Sequence, residues 1–236
     1  MSNRFAWAIG SIVLFAAAPA LATTTCPKAL QFFSDDTGGI LWQKPRVDSP
    51  LDPNNSRLMV HVLFQTGDDF AGAFNDCTGI EGKTLGQVRN LSFDFMNESG
   101  NPVHIGAGSP AIRVVLDTNG DNSFDDVATL AAFYCGAVLP EDTRWSRADF
   151  TGRTSAGCLI WLNSDGTNPA AMSDGTNSAW KNFATAHPTW KVLSAFFILD
   201  EVGTAFIDRL AMQNRMFIQS GSGTSAVKNC LSESSC

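Results

Sequence analysis

Apolar side chains recur at every second position in run after run of this chain, and helical spacing is nearly absent. Leu91, Phe93 and Phe95 alternate with Ser92 and Asp94, and Ile112, Val114 and Leu116 alternate with Arg113 and Val115. Successive side chains of a strand point to opposite faces, so this spacing builds strands with one buried face. Further strand-like runs lie at Leu58 to Phe64, Thr129 to Cys135, Cys158 to Leu162, Trp190 to Asp200, Thr204 to Met212 and Arg215 to Ile218. Between them lie clusters of Gly, Pro, Asn, Asp and Ser at 35–39, 50–56, 97–101, 106–110 and 163–177, the residues that accept turn dihedrals. One helix is expected, over Ser178 to Ala186, with Ser178 as N-cap, Trp180 with Phe183 or Ala184 on one face, and Pro188 as its stop. Some nine or ten strands without helical crossovers predict an all-β fold, an antiparallel β-sandwich. The run ending at Asp200 is expected to pair with Thr204 to Met212 as a hairpin, across a turn containing Gly203.

The first 22 residues carry Arg4, an apolar run from Ile9 to Ala18 and the small-x-small site Ala20-Leu21-Ala22. That is the layout of a cleaved secretory leader, and the apolar run is too short to span a bilayer. A lipobox would put Gly, Ala or Ser before Cys26, where Thr23-Thr24-Thr25 stands. All 6 cysteines follow the leader, and an even number in an exported chain implies disulfides. Cys135 ends one strand-like run and Cys158 begins another, so facing strands would bring these two together. Cys26, Cys77, Cys230 and Cys236 keep several pairings open, and the absence of a CxxC pair argues against structural zinc. The organisation read from these features is a leader at 1–22, a single sandwich domain at 23–218, and a cysteine-pinned tail at 219–236.

With 44% hydrophobic and 17% charged residues the chain can fill a core, and disorder is excluded. The formal net charge is −7 and no basic cluster exists, which disfavours nucleic acid and anionic membranes as partners. No later run is long enough for membrane insertion. The expected location is therefore secreted, periplasmic or extracellular.

The segment from Trp180 to Met212 resembles the closing hairpin of galactose-binding-like jelly rolls, the sandwiches used by many carbohydrate-binding modules. There a long strand leads through a Gly-containing turn into a last strand of the form G-T-x-x-[IL]-D-x-[LV], here Gly203-Thr204-Ala205-Phe206-Ile207-Asp208-Arg209-Leu210. The resemblance implies a jelly-roll fold in which Asp208 is a fold-defining position. Because one scaffold hosts many functions, it leaves the ligand open.

Catalytic signatures are weak. There is no GxSxG elbow, and the histidines are His61 in an apolar run, His104 before a Gly-rich turn, and His187 before Pro188. A glycosidase needs two convergent carboxylates. The acids on offer are Asp68/Asp69, Asp94, Glu98, Glu141/Asp142 and Asp200/Glu201, and adjacent acids in a strand would point to opposite faces. Sugar-binding surfaces use flat rings, and the excess of Phe (17) over Tyr (1) assigns most rings to the core. Trp161 and Trp190 sit in apolar alternation, whereas Trp145 and Trp180 lie among polar neighbours and are the candidate ligand-binding platforms.

The most specific local pattern is DTNGDNSFDD, from Asp117 to Asp126. Asp117, Asn119 and Asp121 alternate as oxygen ligands of a calcium loop do, with the Ser123 carbonyl next and Asp125 or Asp126 completing the shell. The pattern resembles the D-x-N-x-D loop of EF-hands and dockerins. It departs from it at Asn122, where the loop has Gly, and at Ala128, where a bidentate acid would stand. The expected affinity is therefore low, roughly 10⁻⁴–10⁻³ M. The sequence as a whole predicts a secreted, non-catalytic binding module for a glycan or cell-surface polymer, with calcium as a structural cofactor. A glycan-cleaving hydrolase on the same scaffold and an envelope protein without a small ligand are the alternatives.

Overall fold

The computed structural model describes residues 30–34, 38–42, 58–62, 70–97, 110–135, 145–154, 158–164, 169–200, 203–219 and 225–229. The leader, the acids at 68, 69, 98, 141 and 142, His104, and the cysteines at 26, 230 and 236 lie outside these residues.

The described chain forms two antiparallel sheets. The first contains β1 (Gln31–Ser34), β4 (Ala71–Phe74), β6 (Ala111–Asp117), β7 (Asp126–Ala131), β9 (Leu159–Leu162), β10 (Pro169–Met172) and β11 (Lys191–Leu199), in the order β1-β4-β11-β6-β7-β9-β10. The second contains β2 (Gly38–Trp42), β3 (Leu58–Val62), β5 (Ser92–Asn97), β8 (Ser146–Asp149), β12 (Gly203–Met212), β13 (Arg215–Gln219) and β14 (Ser225–Asn229). Its path is β14-β13-β12-β3-β2, with β5 against β12 and β8 against β5. This is the all-β antiparallel architecture that the period-two spacing predicts.

The alternation explains the core. Phe93 and Phe95 of β5 and Phe197 of β11 are all fully buried, and the Phe93 and Phe197 rings meet edge to face at 5.4 Å across the two sheets. Ile112, Val114 and Leu116 from the first sheet and Ala205, Ile207 and Leu210 from the second belong to the same cluster. Two smaller apolar patches lie apart from this core. Ala111, Ala131 and Ile198 gather Phe33, Phe70, Tyr134 and Phe196. Met96 and Phe206 gather Trp145.

The expected hairpin between the last two long strands does not form. β11 is hydrogen-bonded on both edges, to β4 and β6, while β12 pairs with β3, β5 and β13. The chain crosses from one sheet to the other between Asp200 and Gly203. Both strands alternate because both face the common core, and a crossover leaves the same strand–turn–strand pattern in sequence as a hairpin. Within 163–177, read as one long turn, Pro169–Met172 forms β10 against β9. The tail read as a separate piece contributes β14, paired with β13. The run Thr129 to Cys135 is divided, the strand ending at Ala131 and a 3-10 turn covering Ala132–Cys135.

The one α-helix among the described residues, α1 (Ala179–Ala186), matches its sequence signals. The Ser178 side chain accepts from the Lys181 N–H at 3.2 Å, and Ala179, Trp180 and Phe183 are buried. The cap satisfies one of the orphan donors that every helix start carries. Among the described residues no helix is long and apolar enough to cross a membrane.

Candidate functional site

The strongest cluster of chemistry lies in the loop between β6 and β7. The two strands pair up to Leu116 and Asp126, and the Asp125 N–H donates to the Leu116 carbonyl at 3.0 Å, which closes the loop at its base. Asp117, the last residue of β6, is fully buried, and its carboxylate turns into the loop. It accepts the Gly120 N–H at 2.6 Å and the Asn122 N–H at 3.1 Å. Those donors reach it because the chain doubles back at two left-handed residues, Gly120 (φ 89°) and Asn122 (φ 62°). Asn is one of the few residues that adopts this region at low cost, which is how it replaces glycine here. The Asn119 side chain accepts from the Asp121 N–H at 2.9 Å, and Asp121 accepts from the Ser123 N–H at 2.8 Å and its hydroxyl at 2.5 Å. These bonds from Ser123 hold the Asp121 carboxyl below its usual range, because they favour the charged form. Asp125 closes the ring, accepting from the backbone of Thr118 at 2.7 Å and of Asn119 at 3.2 Å.

The outcome is convergence. Carboxylate oxygens of Asp117, Asp121 and Asp125 all lie within 4.8 Å of one another. Calcium–oxygen distances are about 2.3–2.6 Å, so two oxygens bound to one ion can stand no further apart than about twice that. Among the described residues, no Lys or Arg forms an ion pair with any of these three acids. Of the two acids proposed to complete the shell, Asp125 is the one in the cluster. Asp126 is turned toward the neighbouring strand, where its oxygens accept from the Ser164 N–H at 3.1 Å and the Ser164 hydroxyl at 2.5 Å. Ala128, at the twelfth position, is buried within β7 opposite Val114.

The cysteine expectation is met: Cys135 and Cys158 are joined in a disulfide. β7 pairs with β9, and the bridge links the turn after β7 to the residue before β9, so it braces the strand that leaves the acidic loop. Cys77 is also disulfide-bonded.

Of the two aromatic platforms, Trp180 requires correction. Trp180 is buried, 3% exposed, and its indole N–H donates to the Leu85 carbonyl at 2.8 Å. Its polar sequence neighbours occupy the outer side of α1, while the ring packs inward against Phe183 with centroids 5.6 Å apart. It is a core residue and offers no face to a sugar. Trp145 is half-buried, against Met96 and Phe206 beside the second sheet. Trp161, read as core, is half-buried and stacked on Tyr134 at 5.9 Å and 5°. Trp190 packs on the core and stacks with His187 at 3.8 Å, and burial pushes that histidine's pKa down.

Two further features escaped the sequence. Asp94 and Asp208 stand directly opposite each other on β5 and β12, and both are buried. Arg147 donates to Asp94 at 3.0 Å and to Ser92 at 2.9 Å. The second feature is a groove on the first sheet lined by Phe33, Phe74 and Phe196 with Asp76 and Glu81. Phe196 and Phe197 are adjacent in sequence and necessarily face opposite sides of β11, so the pair itself signals an aromatic ring outside the core.

Neither a protein-family model, a curated protein nor a solved structure matches this chain. Any function is therefore argued from the site itself.

Proposed function

We propose that the protein is an exported, non-catalytic binding module for a glycan or cell-surface polymer, with calcium fixing the β6–β7 loop. The observation that carries the calcium reading is the convergence of Asp117, Asp121 and Asp125 with no cationic partner among the described residues. Like charges this close repel unless a cation or a dense set of donors offsets them. The disulfides support export, since such bonds persist in oxidising compartments. The two antiparallel sheets are compatible with the jelly-roll likeness of the segment from Trp180 to Met212.

The binding reading is preferred to the hydrolase because the facing acids, Asp94 and Asp208, are 2% and 3% exposed and Arg147 sits on Asp94. A general acid must instead reach the leaving oxygen of its substrate.

Thermal melts in millimolar calcium and in chelator test the loop. Calcium raises the melting temperature through preferential binding to the native state, and Asp121→Ala abolishes the increment. Identical melts in calcium and chelator, with no heat in a calcium titration, would leave only a hydrogen-bonded turn. A glycan array with the exported chain tests the ligand. Trp145→Ala removes a half-buried ring packed on Met96 and Phe206, and if that ring is a platform it weakens polymer binding further than the same loss of stability elsewhere does.

A further inference from the structure

A groove of about 430 Å³ opens on the first sheet, over β4 and β11 beside the edge strand β1. Three phenylalanine rings shape it. Phe33 meets Phe74 at 6.1 Å and Phe196 at 5.7 Å, at interplanar angles of 50° and 76°, so the three rings pack tilted and edge to face and none is stacked flat on another. Glycine makes this possible. Phe33 pairs with Gly72 across β1–β4, and a Cβ at that position would run into the Phe33 ring and come 2.5 Å from the Phe197 carbonyl oxygen. The ring lies where any side chain on residue 72 would stand.

Two carboxylates line the same space. Asp76 and Glu81 are exposed, and among the described residues neither forms an ion pair. Their partners are neutral: Gln31 donates to Asp76 at 3.4 Å and the Thr78 hydroxyl to Glu81 at 3.1 Å. The cation opposite Phe196 in the ladder, Arg113, is committed to Asp200. Among the described residues no basic side chain lines the groove.

This lining discriminates among ligands by physics. An anion is repelled by both acids. A small hard cation needs several oxygens around one point, and Asp76 and Glu81 belong to no such cluster. An organic ammonium group meets both halves of the lining: its charge faces the carboxylates, and its methyl or methylene surface lies on the ring faces, whose quadrupole attracts cations. We propose that the groove binds an organic ammonium group, carried by an amino sugar or by a choline-type headgroup. The inference stands on the groove's own lining; only the choice of a polymer as carrier rests on the binding-module reading.

The test is titration calorimetry on the exported full chain in chelator, which removes the calcium loop from the measurement. Four probes are compared: choline, its neutral isostere 3,3-dimethylbutanol, a glucosamine oligomer, and the N-acetylated oligomer. At least one ammonium probe is expected to bind ten-fold or more tightly than its neutral counterpart, and less tightly as salt is raised. The D76N/E81Q variant, altered only at exposed positions, is expected to lose at least ten-fold in affinity with an unchanged melting temperature. Binding of choline alone assigns a headgroup, and of the glucosamine oligomer alone an amino sugar. Equal binding of charged and neutral partners, wild-type affinity in D76N/E81Q, or no binding of either ammonium probe overturns the proposal. If only the N-acetylated oligomer binds, the ammonium site falls while the glycan-binding reading survives.

Discussion

The β6–β7 loop and the groove over β4 and β11 both gather acids that form no ion pair among the described residues, yet they treat those acids in opposite ways. In the loop, backbone N–H groups reach all three carboxylates, the Ser123 hydroxyl adds to Asp121, the Thr118 hydroxyl and Asn119 amide add to Asp125, and the three converge within 4.8 Å. In the groove, one amide and one hydroxyl touch the two acids, and Phe33, Phe74 and Phe196 share the lining with Asn75, Leu193, Ser194 and Ala195. The first arrangement offers the close set of oxygens that the proposed calcium ion would need. The second leaves charge beside apolar surface, which a large, weakly hydrated cation can match. On these two proposals equal formal charge would select different ligands, because the neighbours of the carboxylates decide how much water a ligand must surrender.

The sharpest way to separate the scaffold from both sites is Trp180→Ala. Truncating this buried ring and its hydrogen bond should cost about 3–5 kcal/mol. Denaturant unfolding would show that loss, while the protein that remains folded keeps its calcium response. A cost below about 1 kcal/mol would return Trp180 to the surface. Gly72→Ala comes next. The added methyl overpacks against Phe33 and the Phe197 carbonyl, a change that costs about 1–3 kcal/mol. It should displace the ring wall and weaken groove binding, yet leave the calcium increment intact, since residue 72 lies in β4 and the loop joins β6 to β7.

Calcium gives a comparable or smaller effect on the loop alone. At about 10 mM ion and an affinity of roughly 10⁻⁴–10⁻³ M, linkage yields about 1.4–2.7 kcal/mol. Asp117→Asn should remove this increment, as should Asp121→Ala, whereas D76N/E81Q should retain it. Loss of the increment in D76N/E81Q would mean the two acidic regions act as one.

The smallest effect is in acid. Asp121 is held below its usual 3.8 by the Ser123 hydrogen bonds, and the Asn177 and Thr176 N–H groups hold Asp174 at about 2. A carboxyl whose folded pKa is depressed binds fewer protons folded than unfolded. Its contribution is present above about pH 3.8 and fades as pH falls toward 2. Melts across that window should show a shallow decline without calcium, and Asp121→Asn should flatten its share. A melting temperature that rises on acidification through this window would contradict the assignment.

The all-β class, the capped helix, the Cys135–Cys158 bridge and the acidic loop were all legible because each rests on local chemistry. Period two marks strands, Ser178 marks a cap, and alternate oxygens at Asp117, Asn119 and Asp121 mark a loop that folds on itself. What the sequence hid depended on partners far away in the chain. The crossover after Asp200 reads like a hairpin, since inward-facing alternation is identical in both cases. Trp180 looks exposed beside Lys181 and Asn182, but a helix has an inside face, and Leu85 and Phe183 fill it.

The sequence by itself determined which residues alternate, where the chain turns, and which short segment could hold a cation, since each of these is set by neighbours a few positions apart. Only the tertiary structure decided that Phe33, Phe74 and Phe196 stand beside Asp76 and Glu81. Those residues come from β1, from β4 and the segment just after it, and from β11, and long-range ladders bring them onto one face. Strand pairing chooses among distant segments by the total apolar surface and hydrogen bonds satisfied, a quantity that belongs to the whole fold and to no single stretch of chain.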